Sequence, residues 1–140
     1  MEQNGSSEWL LPPARLGLEE GAVHIWRAYL PGERSHLAIF MNTLSSDEHA
    51  RAERFLRSED RISFALTRGI LRCVLSRYID TTPEKICFDY TSFGRPSLCA
   101  NPGEPMLNFN VSIDPDYAAA LVTKPPVTCI RKYHWYPVEE

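Results

Sequence analysis

Apolar positions recur every three or four residues through the middle of the chain, a period typical of α-helices. A short helix is predicted over His36–Leu44. A second helix is predicted from about Ser46 to Arg57. Its start is marked by Ser45 and Glu48, which have the spacing of a capping box: the serine hydroxyl accepts a backbone N–H, and the glutamate reaches back to the cap. The central third of the chain is therefore expected to be helical.

A third, longer helix is predicted to follow, with Ser58 as its cap and its end near Tyr78–Asp80. Its apolar stripe consists of Ile62, Leu66, Ile70, Cys73, Val74 and Leu75. Most of its arginines are expected to lie off that stripe; they are Arg61, Arg68, Arg72 and Arg77. Together with Arg51, Arg54 and Arg57 on the preceding helix, these guanidinium groups form either a phosphate-binding surface or an ordinary salt-bridged helix face.

Strand-forming segments flank the helices on both sides. The candidates are Val23–Leu30, Ile86–Tyr90, Met106–Val111 and Val127–Trp135, with Tyr117–Val122 as a buried strand or short helix. Pro83, after Thr82, is well placed in the first turn of a short helical element. One strand, then helices, then several strands indicates an α+β domain in which the helices pack on a small antiparallel sheet.

The composition is that of a folded protein of one domain, with 140 residues, 44% hydrophobic and a net charge of −3. This charge argues against a nucleic-acid-binding domain built on the arginine-rich helices. The first residues show no signal peptide, and no apolar run is long enough to span a membrane, so a cytoplasmic protein is expected. The scattered cysteines, Cys73, Cys87, Cys99 and Cys129, are expected to be reduced thiols.

Two short motifs bring together groups that can bind phosphate. The turn Phe93-Gly94-Arg95-Pro96 presents a fixed cation beside a close backbone. The strand segment Leu107–Ser112 ends on a hydroxyl that can donate to a phosphate oxygen. Each motif is common by itself, and their order and spacing carry more information than either one.

These motifs and the helices before them resemble the N-terminal lobe of the Sfp-type 4'-phosphopantetheinyl transferases. The resemblance rests on three colinear segments, "LSSDEHARAERFLRSEDRISFALTRGILRCVLSRYI", "ICFDYTSFGRPSL" and "LNFNVS", and extends from about Trp9 to Ser112. It implies transfer of the phosphopantetheine arm of coenzyme A to a serine of an acyl or peptidyl carrier protein, with Mg²⁺ at the pyrophosphate. It also implies that Arg51, Arg95 and Ser112 contact coenzyme A, with Arg95 at the end of the cofactor that carries the 3'-phosphate.

The chain departs from the family where the chemistry would take place. Ile113 and Asp114 replace the His-Ser pair that usually follows, and Glu48 and Ser63 occupy positions that are often basic. The family's Gly-x-Asp-x-Glu and Trp-x-x-Lys-Glu motifs, which supply the Mg²⁺ ligands, the proton acceptor and a lysine, do not occur. No catalytic residue and no metal ligand are therefore assigned, and Asp114 and Asp116 are assigned to a turn.

The resemblance divides the chain into a loose leader (1–20), an N-terminal lobe (21–112) and a remnant of the family's last strands (113–140), as if the middle of a longer enzyme were deleted. In an alternative alignment, the segment from Tyr117 to Thr128 is the strand that follows the serine motif directly. Either alignment predicts a truncated enzyme that is inactive or depends on a partner. The alternatives are a non-catalytic module that binds coenzyme A or a carrier protein, and a remnant that self-associates through exposed apolar surface and sheet edges.

Overall fold

The computed structural model describes residues 9–13, 15–18, 21–90, 92, 94–99, 107–114, 116–123 and 129–135. These residues form two compact units. The first combines the residues up to Ala28 with Cys87–Ser112 and those from Ala118 onward, and it contains most of the strand residues. The second combines Tyr29–Ile86 with Ile113–Tyr117 and contains the helices. The fold class is α+β, as predicted.

Three α-helices form the body of the second unit: α1 (Leu37–Met41), α2 (Ser46–Glu53) and α3 (Ser58–Ser76). Short 3₁₀ helices precede α1 at Pro31–His36 and follow α3 at Pro83–Lys85. Both α1 and α2 pack against α3, whose residues from Phe64 to Arg72 are all buried. α1 lies close to α3 at Gly69, where an added Cβ would lie 2.4 Å from the Cβ of Phe40.

The predicted capping box at the start of α2 is confirmed. The Ser45 hydroxyl accepts from the backbone N–H of Glu48, and a carboxylate oxygen of Glu48 accepts from the backbone N–H of Ser45 at 2.9 Å. The predicted end of α2 at Arg57 is wrong, because the helix ends at Glu53. Phe55 lies beyond the end of the helix, and its ring packs on that of Phe64 with 5.6 Å between the ring centroids.

The predicted cap of α3 is displaced by one residue. Arg57 has extended backbone angles, and its carbonyl accepts from the N–H of Arg61 as the first helical hydrogen bond, so Arg57 and not Ser58 is the N-cap. The guanidinium of Arg61 donates to the carbonyl of Phe55 at 3.0 Å, which ties the α2–α3 connection to the new helix.

A buried ion cluster corrects the interpretation of the α3 arginines as a solvated or phosphate-binding face. Glu48 is 1% exposed and accepts from Arg72 Nε at 2.8 Å and from Arg68 Nη1 at 3.2 Å. Arg72 also donates to the carbonyls of Pro83 and Ile86. One carboxylate thus joins α2 to α3, and Arg72 joins α3 to the segment that follows it.

A four-stranded sheet contains β1 (Ala22–Tyr29), β4 (Asn108–Ile113), β5 (Tyr117–Thr123) and β6 (Cys129–His134). Its strand order is β4-β5-β1-β6. The prediction of an antiparallel sheet is wrong in part, since β1 and β6 pair in parallel, with Ala22 opposite Cys129. Such a pairing joins strands that are distant in sequence, and no local pattern reports it. Tyr117–Val122 is a strand, which decides between the two predicted alternatives.

Part of the predicted leader contacts the sheet. Leu10 donates its backbone N–H to the carbonyl of Lys132 on β6 at 2.9 Å, and its carbonyl accepts from the N–H of His134 at 3.3 Å. The Trp9 ring lies 4.1 Å from the guanidinium carbon of Arg27, a cation–π contact. No helix among the residues that the structure describes is both long and apolar enough to cross a membrane.

A small antiparallel hairpin of β2 (Phe88–Tyr90) and β3 (Pro96–Leu98) also lies in the first unit. Cys87 and Cys99 flank it and form a disulfide, with their Cα atoms 5.5 Å apart. The expectation of reduced thiols is therefore wrong for this pair, because antiparallel pairing places the two cysteines opposite each other although 12 residues separate them. Cys73 is a free thiol, and burial raises its pKa to about 11.

Candidate functional site

The β2–β3 hairpin positions Arg95 at its tip. Gly94 has a φ of 83°, a backbone conformation that glycine adopts without strain and that turns the chain into β3. Arg95 follows directly and is exposed, and Pro96 begins the strand. Phe93 of the predicted turn lies outside the described residues. The turn therefore presents the arginine to solvent, as the motif predicts.

Strand β4 carries the second motif. Its side chains alternate: Asn108, Asn110 and Ser112 are exposed, whereas Phe109 and Val111 are half-buried. The Phe109 ring meets that of Phe88 on β2 at 5.9 Å between centroids. Ser112 thus lies on the same exposed strand face as the two asparagines, and the opposite face is anchored to the hairpin.

The two motifs meet through a hydrogen bond. An Nη atom of Arg95 donates to the side-chain oxygen of Asn110. Since Asn110 and Ser112 are two residues apart on one strand, their side chains leave the same face of β4. The structure therefore brings Arg95 and Ser112, two of the three predicted coenzyme A contacts, to one exposed surface of the first unit.

Asn110 is a member of this cluster that the sequence analysis did not single out. The signal was present in the period of two along the strand, which places Asn110 beside Ser112 once β4 is recognised. Its contact with Arg95, however, joins residues 15 positions apart. That contact depends on how the hairpin lies against β4, and no local pattern encodes it.

The third predicted residue, Arg51, belongs to the second unit. It lies in the last turn of α2 and is half-buried, with its guanidinium carbon 5.8 Å from the centre of the Phe64 ring. The ring holds the side chain by a cation–π contact while leaving its charge intact. Arg54 and Arg57, in the segment between α2 and α3, are exposed.

The carboxylates after Ser112 lie in a turn. Asp114 accepts hydrogen bonds from the backbone N–H groups of Asp116 and Tyr117 at 2.9 Å and 2.8 Å, which is the arrangement predicted for a turn. These two bonds lower the pKa of Asp114. Among the described residues, no three His, Cys, Asp or Glu side chains are grouped so that they could hold a metal ion.

His134 and Arg27 form a further polar contact in the first unit. Arg27 Nε donates to His134 Nδ1 at 3.0 Å. Partial burial, followed by the nearby positive charge of Arg27, lowers the pKa of His134. The imidazole therefore accepts this bond in its neutral form.

Comparison with known proteins identifies the family of this chain. The family profile described as "4'-phosphopantetheinyl transferase, N-terminal" matches residues 27–125. A 4'-phosphopantetheinyl transferase, HetI, of Nostoc sp. is 42% identical over 114 residues, which is 81% of this chain and 48% of the relative. The chain thus spans about half the length of that relative.

A solved structure has a similar fold. It is a holo-(acyl-carrier-protein) synthase from Bacillus anthracis, crystallised in complex with coenzyme A (3',5'-ADP). The match has a TM-score of 0.53 at 18% identity and covers 73% of this chain and 93% of the other. The family profile covers well over half of the sequence and includes both motifs described above. The chain therefore belongs to the 4'-phosphopantetheinyl transferase family.

Proposed function

We propose that this chain is the part of a 4'-phosphopantetheinyl transferase that holds the phosphates of coenzyme A, and that it does not transfer phosphopantetheine by itself. In this proposal Arg95, Ser112 and Arg51 contact the cofactor. The observation that carries it is the joint exposure of Arg95 and Ser112 on one surface, with the arginine held by a turn and by Asn110. A guanidinium and a hydroxyl are suitable donors for phosphate oxygens.

The proposed lack of transfer rests on the missing motifs. The attacking serine of a carrier protein requires a base, and the pyrophosphate of coenzyme A requires a bound cation or its equivalent. Neither the Gly-x-Asp-x-Glu nor the Trp-x-x-Lys-Glu motif occurs in the sequence. The only carboxylates close after Ser112 belong to the turn at Asp114. Transfer would therefore need residues that a partner supplies.

An acyl or peptidyl carrier protein is the proposed partner, and the name of the matched synthase, which refers to an acyl carrier protein, supports it. Self-association is a second proposal. Large apolar side chains are exposed in the second unit, among them Ile39, Leu56, Ile113 and Tyr117. A cytoplasmic location stays a prediction.

The origin of the last strands also belongs to this proposal. The match to the N-terminal profile spans residues 27–125 and so extends beyond residue 113. This supports the alternative alignment, in which the strand Tyr117–Thr123 follows the serine motif directly, over an internal deletion that begins at residue 113. β6 would then be the first strand beyond the profile match.

Mass spectrometry of a carrier protein tests the proposed inactivity. The chain is incubated with coenzyme A, Mg²⁺ and an apo carrier protein, and the carrier is weighed over time beside a two-lobed transferase as the positive control. We expect an unchanged carrier mass with this chain. Addition of the phosphopantetheine arm at the rate of the control enzyme would contradict the proposal.

A non-catalytic binding module is the second candidate function, and the exposed Arg95–Ser112 surface favours it as well. It differs from the first in one respect: adding a separately expressed second lobe would restore transfer to a split enzyme and would leave a binding module inactive. The same mass measurement, made with the C-terminal half of the Nostoc relative added, separates the two candidates.

A further inference from the structure

We propose that Asn110 is a positioning residue that orients the guanidinium of Arg95 toward a phosphate group. The inference rests on the proposed function of Arg95 as a phosphate ligand and extends it to a neighbouring residue that is itself uncharged. Its starting point is the hydrogen bond from an Nη atom of Arg95 to the side-chain oxygen of Asn110.

The hairpin alone gives Arg95 little order. Its two strands have three residues each and are closed by the Cys87–Cys99 disulfide, but strand pairing and the disulfide restrain the backbone and not the side-chain torsions of an exposed residue at the turn. The arginine side chain is exposed and would lose about 2 kcal/mol of rotamer entropy when a ligand fixes it. A contact that restricts the side chain before the ligand arrives reduces this cost.

Asn110 is well placed to supply that restriction. It lies in the middle of β4, a six-residue strand paired within the four-stranded sheet. Its sequence neighbour Phe109, on the opposite face of the strand, contacts Phe88 of the hairpin. The hairpin is thus held to β4 by a ring contact on one face and by the Arg95–Asn110 bond on the other.

The chemistry of the amide matters as much as its position. A carboxylate at this place would also orient the guanidinium, but it would neutralise the charge and compete with a phosphate for the same donors. An amide oxygen is uncharged, so its hydrogen bond adds no negative charge beside the guanidinium. An asparagine therefore fixes the arginine and keeps it attractive to an anion.

The first experiment measures this geometry without a ligand. In Asn110→Asp, a carboxyl group replaces the amide beside Arg95, and carbon-13 NMR gives its pKa. The matched control is Asn108→Asp, which places the same group on the same exposed face of the same strand. We expect a lower pKa in Asn110→Asp than in the control, and the difference should disappear when Arg95→Ala is added. Equal pKa values in the two variants would overturn the proposal.

The second experiment measures phosphate recognition by calorimetry, with 3',5'-ADP and 5'-AMP as probes. The ratio of their affinities reports the contribution of the 3'-phosphate. We expect Asn110→Ala and Asn110→Asp to reduce this ratio by about tenfold, the scale of one hydrogen bond to a charged group, and Asn108→Ala to leave it within about twofold. Equal weakening of both probes would indicate a merely structural role and would contradict the positioning role.

The two experiments fail independently. If wild-type protein binds neither probe while the pKa difference is present, the contact between Asn110 and Arg95 stands and the proposed function is wrong. If wild-type protein binds 3',5'-ADP but the ratio is the same in Asn110→Ala, the function stands and the positioning role is wrong. Thermal melts of all variants show whether each one is folded under the conditions of the titrations.

Discussion

Replacing Glu48 with glutamine tests the buried ion cluster that joins the helices. The carboxylate accepts from the backbone N–H of Ser45 and from the guanidinium groups of Arg68 and Arg72, at distances between 2.8 and 3.2 Å. A glutamine of the same shape keeps one acceptor oxygen. Its NH₂ group would face a guanidinium donor, and the side chain at position 48 would no longer carry the negative charge that pairs with Arg68 and Arg72.

The expected cost follows from burial. The side chain of Glu48 is 1% exposed, that of Arg72 is 3% and that of Arg68 is 10%, so water reaches none of them well. Breaking a buried ion pair by removing one partner costs about 3–5 kcal/mol, since the remaining charge is left uncompensated. A domain of this size has a total stability of about 5–15 kcal/mol. We therefore expect Glu48→Gln to lose a large part of the free energy of unfolding.

Urea unfolding followed by circular dichroism at 222 nm measures the difference in free energy. Asp47→Asn is the matched control, because Asp47 is an exposed carboxylate in the same first turn of α2. This substitution removes a charge that interacts with the helix dipole and leaves the ion cluster intact. Its expected effect on the free energy of unfolding is below about 1 kcal/mol. A loss of less than about 1 kcal/mol in Glu48→Gln, or equal losses in the two variants, would refute the reasoning.

Three further predictions concern packing, thiol reactivity and pH. Gly69→Ala is expected to destabilise the protein by about 1–3 kcal/mol in urea unfolding, because the new Cβ would lie 2.4 Å from that of Phe40. Gly17→Ala is the control, since an added Cβ there would have no atom within 4 Å, and it should change the free energy of unfolding very little. Cys73, with its pKa raised to about 11, should react much more slowly with iodoacetamide at pH 8 in the folded than in the urea-unfolded protein, as measured by peptide mass spectrometry, and equal rates would contradict its burial. The pKa of His134 is lowered in the folded state, so its contribution to stability is complete above the ordinary pKa of 6.5 and is lost as the pH falls through that value and then through the folded pKa. His134→Gln should therefore lose less free energy of unfolding than the wild type between pH 7.5 and pH 5. An equal loss would contradict the assignment.

Features encoded over a few residues were predictable from the sequence. The capping box of Ser45 and Glu48 needs only two residues at the right spacing, and it occurs as predicted. The alternation along β4 likewise identified a half-buried strand ending near Ser112. The glycine before Arg95 predicted a turn, and its positive φ accounts for that choice.

Features that depend on distant partners were not predictable in the same way. Arg68 and Arg72 were expected off the apolar stripe, because a helical pattern treats every arginine as a surface residue. Their burial follows from a carboxylate 20 and 24 residues earlier. The parallel pairing of β1 with β6 and the Cys87–Cys99 disulfide are non-local for the same reason.

The candidate site shows both sides of this distinction. Arg95 and Ser112 were selected through their family motifs, and the structure places them on one exposed surface. Asn110 was overlooked, because its significance comes from a side-chain contact with the hairpin and not from its residue type. Arg51 lies in the other unit, and its role as a coenzyme A contact stays a prediction.

Calorimetric titration of the chain with coenzyme A tests the central claim most directly. We expect binding that weakens as the salt concentration rises and that falls by about tenfold or more in Arg95→Ala, since a hydrogen bond to a charged group contributes about 1.5–3 kcal/mol. The control is Arg131→Ala, an exposed arginine on β6, the strand at the opposite edge of the sheet from β4. It should bind like wild type. No heat at millimolar coenzyme A, or equal losses in the two arginine variants, would contradict the account.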